Sequence, residues 1–394
     1  MVIRPKIKGC VCVTAHPAGC AAHVQEQIRR VKEKGVVSGG PRKILIIGAS
    51  TGYGLSARIT GAFSAAAATL GVFLERPSQD GDPATAGWYN TAAFHSAAKT
   101  EGLWAKSING DAFSDQVKKQ TIAAIKQDLG QVDLVLYSLA APRRHHPRTG
   151  ETYRSALKPI GRSCLLKNLD TDQGVVHDIT LPPATEEEIA ATVAVMGGED
   201  WTWWMEALTE ADVLAEGAAA VAFDYEGPEI TWPIYKEGTI GRAKEDLRNA
   251  IRGMNQRLRR QGRSAFLSVH QASVTQASAA IPVMPLYVSI LFRVLREKGL
   301  FEDTIEQACR LFAEQLAGDA PHAKYELCRV RLDDKELRSD VQMEVSRRWE
   351  AVNTDNLDQL ADFPGYRQAF LQFFGFGLPG VDYEASVDPS IPLP

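Results

Sequence analysis

The sequence contains few cysteines, no long hydrophobic run and almost no excess of charge of either sign. Six cysteines among 394 residues are too sparse for a disulfide framework. The longest apolar stretch, residues 61–74, is shorter than the roughly 18 apolar residues that a membrane-spanning helix needs. A net charge of -4 gives no general attraction to nucleic acid or to an anionic membrane, and the N-terminus lacks the apolar core of a signal peptide. We therefore expect a cytoplasmic protein with no membrane span and no nucleic-acid partner.

The sequence does contain a regular alternation of short apolar runs and amphipathic segments. Thr185 and Glu188 have the spacing of a capping box, so a helix is expected to begin there. The segment 141–163 is polar and basic and has no clear period. Strands are predicted over residues 43–50, 70–75, 105–108, 132–138, 217–225 and 264–270, and helices over 52–69, 85–99, 114–130 and 239–261. This alternation predicts an α/β fold with one doubly wound parallel sheet and large insertions.

The motif GASTGYG follows the first strand of the predicted sheet and opens a helix. Its glycines allow a pyrophosphate to approach closely, and the amides and partial positive charge of a helix start favour phosphate. The alternative is a tight strand-to-helix turn with no ligand. The residues that we predict to bind a dinucleotide here are Gly48, Ala49, Ser50, Thr51, Gly52 and Tyr53.

Residues at the ends of the next strands are predicted to complete the cofactor site. Leu74 and Glu75 end the second strand, where a carboxylate accepts hydrogen bonds from an adenosine ribose. The same carboxylate repels the additional phosphate of NADP, so NADH/NAD is preferred, although the neighbouring Arg76 weakens this preference. The alternative is a surface glutamate at a strand end. The segments NGDAF and SLAAP leave room for adenine and the nicotinamide ribose, and they supply Asp111, Ala112, Leu139 and Ala140.

The segment PIYKEGTIGRAK contains a tyrosine and, nine positions later, a lysine. Nine residues turn a helix through about 900°, so Tyr235 and Lys244 cannot share one face of a regular helix. Pro233 and Gly238 disfavour helix before Thr239, which is expected to cap a helix that begins there. Tyr235 then lies on a loop as a proton donor, and Lys244 in the second turn favours its phenolate and holds the cofactor ribose. The alternative is a core tyrosine and a solvated lysine.

Several motifs together resemble those of one enzyme family. They are KGCVCVTAHPAGC, GASTGYG, SLAAPRR, VMGGEDW, YKEGTIGRAK and VTQASAAIPVMPLY, and the likeness extends over essentially the whole chain. The chain resembles the NADH-dependent trans-2-enoyl-ACP/CoA reductases of the long, single-chain bacterial type, within the short-chain dehydrogenase/reductase superfamily. The wide gap between Tyr235 and Lys244 is the most specific sign, because other members of the superfamily have shorter gaps.

The resemblance implies a Rossmann-type core that reduces the 2,3 double bond of an enoyl thioester with NADH, the last reductive step of fatty acid elongation. It implies that Tyr235 is the catalytic proton donor or enolate stabiliser, that Lys244 is catalytic and holds the cofactor, and that Tyr225 binds substrate. The implied partner is an enoyl chain on acyl carrier protein or CoA, and a monomer is expected.

The resemblance also implies a segment at the nicotinamide end of the cofactor. The matching residues are Ser273, Val274 and Thr275, and Ser273 replaces the family's usual leucine, which puts only side-chain packing in question. The apolar segment 281–292 after it lies in the substrate-covering region, where it lines an acyl tunnel or forms an ordinary buried helix.

The resemblance gives one enoyl-reductase domain over residues 1–394. Within it we predict an N-terminal β extension at 1–42, a Rossmann core at 43–275 with an insertion at about 141–215, substrate-covering helices at 276–330 and a C-terminal extension at 331–394.

A cluster of cysteines and histidines near the N-terminus suggests a zinc site, which we set aside. Cys10 and Cys12 alternate with valines as in a strand, and free cysteine packs as a small hydrophobe. The other members are His16, Cys20 and His23. We expect no metal.

The basic run PRRHHPR and the three tryptophans of EDWTWWMEAL are weak signs of nucleic-acid binding in an acidic chain, and we expect the tryptophans to pack in the core. Two other functions stay open at this point: a carbonyl reductase or alcohol dehydrogenase of the same superfamily, and a non-catalytic NAD-binding protein.

Overall fold

A computed structural model describes residues 1–9, 11–318 and 328–393 of the chain. Its strands are β1 (Ile7–Lys8), β2 (Val11–Cys12), β3 (Lys43–Ile47), β4 (Ala68–Phe73), β5 (Ala105–Asn109), β6 (Val132–Tyr137), β7 (Arg143–His145), β8 (Thr152–Arg154), β9 (Cys164–Asp170), β10 (Val175–Leu181), β11 (Leu214–Asp224), β12 (Ser264–Val269) and β13 (Arg329–Arg331).

Helices separate most of these strands. They are α1 (Pro17–Lys34), α2 (Gly52–Ala65), α3 (Ala86–Thr100), α4 (Asp115–Ala124), α5 (Glu186–Met196), α6 (Glu199–Glu210), α7 (Trp232–Tyr235), α8 (Thr239–Arg259), α9 (Gln276–Ala279), α10 (Met284–Glu297), α11 (Thr304–Arg310), α12 (Ser339–Ala351), α13 (Leu357–Leu360) and α14 (Phe363–Gln372). Turns of π-helix continue α4 over Ile125–Leu129 and α11 over Leu311–Leu316.

Seven strands form one parallel sheet in the order β13-β12-β11-β6-β3-β4-β5. In this sheet Ile44 of β3 lies opposite Thr69 of β4 on one side and opposite Leu134 of β6 on the other. The chain winds outward from β3 to β5 and then returns to continue from β6 to β13. The predicted doubly wound, Rossmann-type sheet is therefore confirmed. The chain adds strands in one direction from β3 and in the opposite direction from β6. This switch between β3 and β6 opens a crevice at the carboxyl ends of the strands, where such folds bind ligands.

Helices cover both faces of the sheet. Leu45 and Ile47 pack into one core with residues of α4, α6 and α8, whereas Ile44 and Ile46 pack into another core with Phe312. Successive residues of a strand point to opposite faces. Because both faces are buried, these strands are continuous apolar runs in the sequence rather than alternating ones.

The helix predicted over residues 52–69 is too long, and the strand predicted after it starts too late. Helix α2 ends at Ala65, and Ala66 has a left-handed backbone with a φ of 52°. Ala68 and Thr69 already belong to β4, opposite Lys43 and Ile44. An alanine-rich run has no strand pattern of its own, so the register of the sheet decides where the helix stops.

The predicted N-terminal β extension is present only as the two-residue strands β1 and β2, which pair in antiparallel fashion. The larger part of residues 1–42 is helix α1, which the sequence analysis did not predict. The ring Nδ1 of His16 accepts a hydrogen bond from the Gly19 amide, and Pro17 occupies the first turn. A local cap and an N-terminal proline therefore begin this helix.

The insertion contains structure that the sequence analysis did not predict. Strands β7 and β8 form a small antiparallel hairpin within the segment read as lacking a period, and β9 and β10 form a longer one. The capping box at Thr185 and Glu188 is confirmed at the start of α5. Hairpin β9–β10 reaches the C-terminal part of the chain, where Lys167 Nζ donates to the carbonyl of Trp349 at 2.7 Å.

The C-terminal helices pack on α10 and join one large apolar cluster with it. Val341, Val345 and Phe370 contribute to this cluster. The end of the chain returns to α3, where the Tyr89 hydroxyl donates to the carbonyl of Pro389 at 2.8 Å. Among the helices of the described residues, none has both the length and the apolar character needed to cross a membrane.

Candidate active site

The phosphate loop is a tight turn between β3 and α2. Gly48 has a φ of 90°, and a Cβ there would lie 2.5 Å from the carbonyl oxygen of Ser138. A Cβ on Gly54 would lie 1.9 Å from the carbonyl oxygen of Gly48. Thr51 precedes α2, but its side chain makes no capping hydrogen bond. The loop therefore requires glycine for its own packing, and its side chains leave the first amides of α2 uncapped for an anion.

Ser50 connects the phosphate loop to Glu75. The Ser50 hydroxyl donates to the Glu75 carboxylate at 2.6 Å. Strand β4 ends at Phe73, so Leu74 and Glu75 lie in the turn beyond it rather than at the end of the strand as predicted. Burial raises the pKa of the Glu75 carboxyl, while the Ser50 hydrogen bond lowers it in part. The turn places the carboxylate beside the loop, as a ribose-binding acid requires.

A buried polar network holds the turn after β5 in place. Lys118 Nζ donates to the carbonyl of Ala112 at 3.1 Å and forms an ion pair with Asp200 at 2.7 Å. Trp204 Nε1 also donates to the Ala112 carbonyl, at 3.1 Å. At the turn itself the Asp111 carboxylate accepts the amide of Phe113 at 3.0 Å. Asp111 and Ala112 therefore hold a fixed position at the carboxyl edge of the sheet.

Leu139 and Ala140 follow β6 at the same edge. Ser138, just before them, donates its amide to the carbonyl of Ile47 at 2.8 Å. This bond and the close approach of Gly48 hold the loop after β6 against the phosphate loop. The predicted cofactor-binding residues in the loop after β3 therefore lie next to those in the loop after β6.

The segment after β12 lies against the start of α2. Thr275 accepts the Ser278 amide at 3.0 Å and so caps α9. A Cβ on Gly52 would lie 3.7 Å from the Thr275 Cγ2. Ser273, Val274 and Gly52 line a common cavity of about 400 Å³. Two predicted cofactor segments more than 200 residues apart in the sequence are thus brought together.

The Tyr53 side chain packs against the residues that follow β12. Its hydroxyl donates to the carbonyl of Gln271 at 2.5 Å, and its ring packs on His270 with 4.6 Å between centroids. Its side chain therefore fastens α2 to the end of β12.

Tyr235 is the last residue of the one-turn helix α7, not part of a loop as predicted. Pro233 lies in the first turn of that helix, where its missing N–H costs no hydrogen bond. Tyr235 is 7% exposed and meets the Tyr225 ring edge to face at 4.7 Å between centroids. Within the described part of the chain, its hydroxyl makes no hydrogen bond.

Lys244 lies in the second turn of α8, where the sequence analysis placed it. The helix begins after Gly238, and the Thr239 hydroxyl does not cap it; it donates instead to the Ala156 carbonyl in the insertion. Lys244 Nζ forms an ion pair with Asp224 at 3.0 Å, and the Asp224 carboxylate also accepts the amide of Tyr225 at 2.9 Å. Asp224 therefore fixes the lysine at the end of β11.

The tyrosine is held in its protonated form rather than as the phenolate that a free lysine would favour. Burial raises the pKa of Tyr235, and the negative charges of Glu336 and Asp224 raise it further. The Lys244 ammonium pairs with Asp224, and its predicted effect on the phenolate stays a prediction. At neutral pH Tyr235 therefore offers a hydrogen to an acceptor.

A cavity of about 740 Å³ opens beside Tyr235. Trp232 and Lys236 line it on the tyrosine side, and the Lys236 ammonium lies 3.4 Å from the centroid of the Trp232 ring. Arg248 and Arg331 line it on the other side. The rim also contains Glu226, which pairs with both arginines, so the cavity joins a hydrogen donor to a rim of mixed charge.

Known proteins resemble the chain over its whole length. Three family models match: the catalytic region of trans-2-enoyl-CoA reductase over residues 82–317, its NAD(P)H-binding domain over 2–80, and a domain described as an enoyl reductase FAD-binding domain over 326–387. The chain belongs to the trans-2-enoyl-CoA reductase family. This confirms the family that the sequence motifs predicted, and it makes the chain an oxidoreductase.

Individual relatives of this reductase are close. An enoyl-[acyl-carrier-protein] reductase [NADH] of Opitutus terrae is 56% identical over 393 residues, covering 100% of both chains. The structure of a Treponema denticola trans-2-enoyl-CoA reductase in complex with NAD is 44% identical, with a TM-score of 0.93 over 98% of both chains. A Clostridium trans-2-enoyl-CoA reductase in complex with NADH has 40% identity and a TM-score of 0.96 over 100% of both chains.

The residues of the third family model do not fit a flavin dinucleotide. Strand β13 is followed by residues 332–338, which contain no glycine, so the phosphate turn seen after β3 has no counterpart. Helices α12 and α14 turn their apolar sides to α10. Within the described residues 328–387, every buried side-chain polar atom already has a hydrogen-bond partner in the protein. None is left for a flavin to satisfy. Residues of this segment instead line the two cavities, Gln342 in the larger and Phe373 in the smaller.

Two groups of residues set aside earlier take clear places in the reductase. Trp201 and Trp204 are buried in the core, as predicted, while Trp203 stacks under Arg148 at 3.8 Å. Of the three tryptophans, Trp203 thus packs against the basic run, through Arg144, His146 and Arg148. Cys10 lies outside the described residues, and the described residues contain no group of three or more potential metal ligands.

From Met284 onward, the apolar segment 281–292 is a buried part of α10. Met284 and Leu286 are at most 2% exposed, and Phe292 lines the smaller cavity beside the phosphate loop. Val283 begins the helix with a φ of 76°, which is strained for a β-branched residue, and its amide donates to Asn168 at 3.0 Å.

The sequence analysis missed two carboxylates at the tyrosine end of the site. Asp224 is fully buried yet pairs with Lys244 and Arg248. Glu336 is fully buried and accepts the hydroxyls of Tyr225 and Tyr287 at 2.9 and 2.6 Å. An acid at the end of the apolar run VAFDY was a local signal for Asp224. Glu336 had no such signal, because its partners are distant in the sequence.

Proposed function

We propose that the chain reduces the 2,3 double bond of trans-2-enoyl thioesters with NADH. The observation that carries this proposal is the Tyr235 hydroxyl, which is buried, protonated and without a partner among the described residues, at the wall of the 740 Å³ cavity. Family membership and relatives bound to NADH and NAD support the cofactor. Tyr225 and Tyr235 then form the substrate side of the site.

NADH, when bound, supplies the hydride for the β-carbon of the enoyl group. Tyr235 donates a hydrogen bond to the thioester oxygen as that oxygen gains enolate charge, and it can pass on its proton. The edge-to-face contact with Tyr225 limits the directions in which the Tyr235 ring can turn. A preorganised neutral donor is more effective here than a phenolate, which would repel the developing negative charge.

Lys244 is the residue that we propose to hold the cofactor ribose. Asp224 anchors the ammonium from inside the protein, and the lysine side chain is still 19% exposed. An ammonium has three N–H groups, so it can keep the ion pair and donate to a ribose hydroxyl as well. Arg248 also pairs with Asp224, at 3.4 Å, which leaves part of the lysine charge free for the ligand.

The cofactor lies, in this proposal, along the carboxyl edge of the sheet. Glu75 holds the adenosine ribose, the turn after β5 borders adenine, and the loop after β6 borders the nicotinamide ribose. The contacts among the loops support this arrangement, because each loop is fixed by a neighbour. The residues involved are Gly48, Ala49, Ser50, Thr51, Gly52, Tyr53, Leu74, Glu75, Asp111, Ala112, Leu139, Ala140, Ser273, Val274 and Thr275.

The experiment is the loss of NADH absorbance with purified protein and crotonyl-CoA. Tyr235→Phe should reduce kcat by roughly 10²-fold to 10⁴-fold, as expected for loss of a general acid, while NADH binding measured by fluorescence persists. Tyr153→Phe removes the same hydroxyl from a half-buried tyrosine of β8 and should leave the rate unchanged.

The outcomes separate the candidate functions. NADH oxidation that requires the enoyl thioester and collapses only in Tyr235→Phe supports the proposal. NADH binding without turnover on any enoyl chain length would leave a non-catalytic nucleotide-binding protein, and turnover of ketones instead would make the chain a carbonyl reductase.

The carrier of the acyl chain is a separate question. The relatives' names divide between acyl carrier protein and CoA, and both thioesters present the same reacting atoms. The ratio of kcat/KM for one acyl chain on the two carriers decides between them. The monomeric state and the cytoplasmic location stay predictions from the sequence.

A further inference from the structure

Glu336 is a fully buried carboxylate at the centre of the tyrosine end of the site. It lies between β13 and α12, and it is 0% exposed. One carboxylate oxygen accepts the hydroxyls of Tyr225 at 2.9 Å and Tyr287 at 2.6 Å. The other oxygen accepts the amide of Ala272 at 2.6 Å. Three donors from distant parts of the chain therefore converge on one side chain.

No cation of the described residues lies within ion-pair distance of Glu336. Among the described residues it forms no ion pair. The ionisable groups that face it are the phenols of Tyr53, Tyr225, Tyr235 and Tyr287 and the carboxyl of Asp333. Hydrogen bonds alone thus satisfy the carboxylate. All three partners donate to it, as an ionised carboxylate requires, whereas a protonated carboxyl would have to turn one of the two phenol hydroxyls from donor to acceptor.

The three donors belong to parts of the site with different tasks. Tyr225 contacts the ring of Tyr235, at 4.7 Å between centroids. Ala272 immediately precedes the segment Ser273–Thr275, which lies against the start of α2. Tyr287 belongs to α10, the helix that covers the site. A single carboxylate therefore connects the substrate side, the nicotinamide side and the cover.

We propose that Glu336 is a positioning residue of this reductase, which in its ionised form holds Tyr225, and through it Tyr235, at a fixed place relative to the nicotinamide segment. The inference rests on the proposed function. Glu336 is fully buried and lines neither of the two cavities, so it acts by accepting three hydrogen bonds at once. Protonation of the carboxylate displaces one donor and loosens the arrangement.

The ionisation of Glu336 falls in the working range of an enzyme. Burial raises the pKa of this carboxyl to about 7, although the donors from Tyr287, Ala272 and Tyr225 lower it in part. The ionised fraction then falls as pH decreases through about 7. We expect kcat to fall with it, giving an acid limb in the pH profile.

The test measures kcat with NADH and crotonyl-CoA between pH 5.5 and 8.5 in wild type and in Glu336→Gln. The amide has nearly the same shape but cannot ionise. We expect kcat at pH 8 to fall roughly tenfold or more, since a hydrogen bond to a charged group is lost. The acid limb should also disappear. An unchanged limb in Glu336→Gln would overturn the proposal, because a purely structural residue does not set a pH profile.

Two further variants keep the test decisive. Glu302→Gln makes the same change at another buried glutamate, whose carboxylate pairs with Arg310 and Lys335, and it should retain the acid limb. Tyr287→Phe removes one donor that stabilises the ionised carboxylate and should move the limb to higher pH. If Glu336→Gln does not fold, an unmoved limb in Tyr287→Phe overturns the proposal. Failure of the wild type to oxidise NADH would instead reject the proposed function.

Discussion

The two ends of the active site are built in different ways. The phosphate-loop end consists of consecutive residues whose backbone makes the site, with Gly48 and Gly54 packed against carbonyl oxygens. The tyrosine end consists of side chains from β11, α7, α8 and α10 and from the loop after β13, held together by hydrogen bonds to Asp224 and Glu336. Local packing thus fixes one end, and long-range contacts fix the other.

Among these variants, Gly54→Ala should have the largest effect, because it disturbs the phosphate-loop end and so weakens NADH binding. The added Cβ would lie 1.9 Å from the Gly48 carbonyl oxygen, so the loop must move. Overpacking of this kind costs about 1–3 kcal/mol, and we expect NADH affinity to fall by roughly 100-fold in a fluorescence titration. Gly253→Ala is the matched control, because it lies in α8 with no atom within 4 Å of the new Cβ. The control should gain about 0.5–1 kcal/mol of stability.

Equal NADH affinity in Gly54→Ala and wild type would show that the loop does not depend on this close approach. The difference between the two ends of the site would then disappear, since both would rely on side chains.

Glu336 should make the tyrosine end sensitive to pH in its stability as well as in its activity. Its pKa is about 7 in the folded protein and lower when unfolded, so its contribution to stability is present below about pH 4.5 and is lost as pH rises through about 7. The full shift corresponds to about 3 kcal/mol. The free energy of unfolding of wild type minus that of Glu336→Gln, from urea titrations, should therefore fall by about that amount between pH 5 and 8.

A difference that stays constant over this range, or that grows, would contradict the prediction. The sign is informative about function: ionised Glu336 costs stability at the pH where we expect it to support turnover. Active sites often retain such a cost.

The sequence predicted the sheet and the phosphate loop because their signals are local. A run such as Lys43–Ile47 followed by GASTGYG contains both the strand and its turn. Resemblance to the family supplied the pairing of Tyr235 with Lys244, which helical spacing alone argued against. Helix α7 was missed because it is a single turn, and the role of Thr239 was missed because its hydroxyl bonds the Ala156 carbonyl of the insertion. Glu336 was missed for the same reason: its donors are 49 to 111 residues away in the sequence.

Asp224→Asn should weaken the tyrosine end through Lys244. The buried carboxylate pairs with Lys244 at 3.0 Å, and loss of its charge leaves the ammonium without its anchor. Breaking a buried ion pair costs about 3 kcal/mol when no solvent is near. Because Lys244 is partly exposed, we expect a smaller cost here. It should appear as a roughly 30-fold rise in the KM for NADH. Steady-state kinetics at saturating crotonyl-CoA measure it.

Glu245→Gln provides the comparison for Asp224→Asn. Glu245 belongs to the same helix but pairs with Arg242 at 3.6 Å on the exposed surface, where such pairs contribute about 0–1 kcal/mol. Its KM for NADH should stay within about twofold of wild type. Equal effects of the two changes would mean that Lys244 does not depend on Asp224.

Glu75→Ala should have the smallest effect and should change specificity at the phosphate-loop end. The carboxylate lies beside Ser50 of the loop, where it would repel the additional phosphate of NADPH. Its removal should raise kcat/KM for NADPH relative to NADH by roughly tenfold, an ordinary size for one unfavourable charge near the surface. Glu101→Ala, which breaks an exposed pair with Lys32, should leave the ratio unchanged. Arg76 provides a second variant for this test. If its positive charge attracts the additional phosphate of NADPH once Glu75 is gone, the double variant Glu75→Ala, Arg76→Ala should lose the gain in kcat/KM for NADPH. A ratio that does not move in either variant would show that the backbone loop alone selects the cofactor.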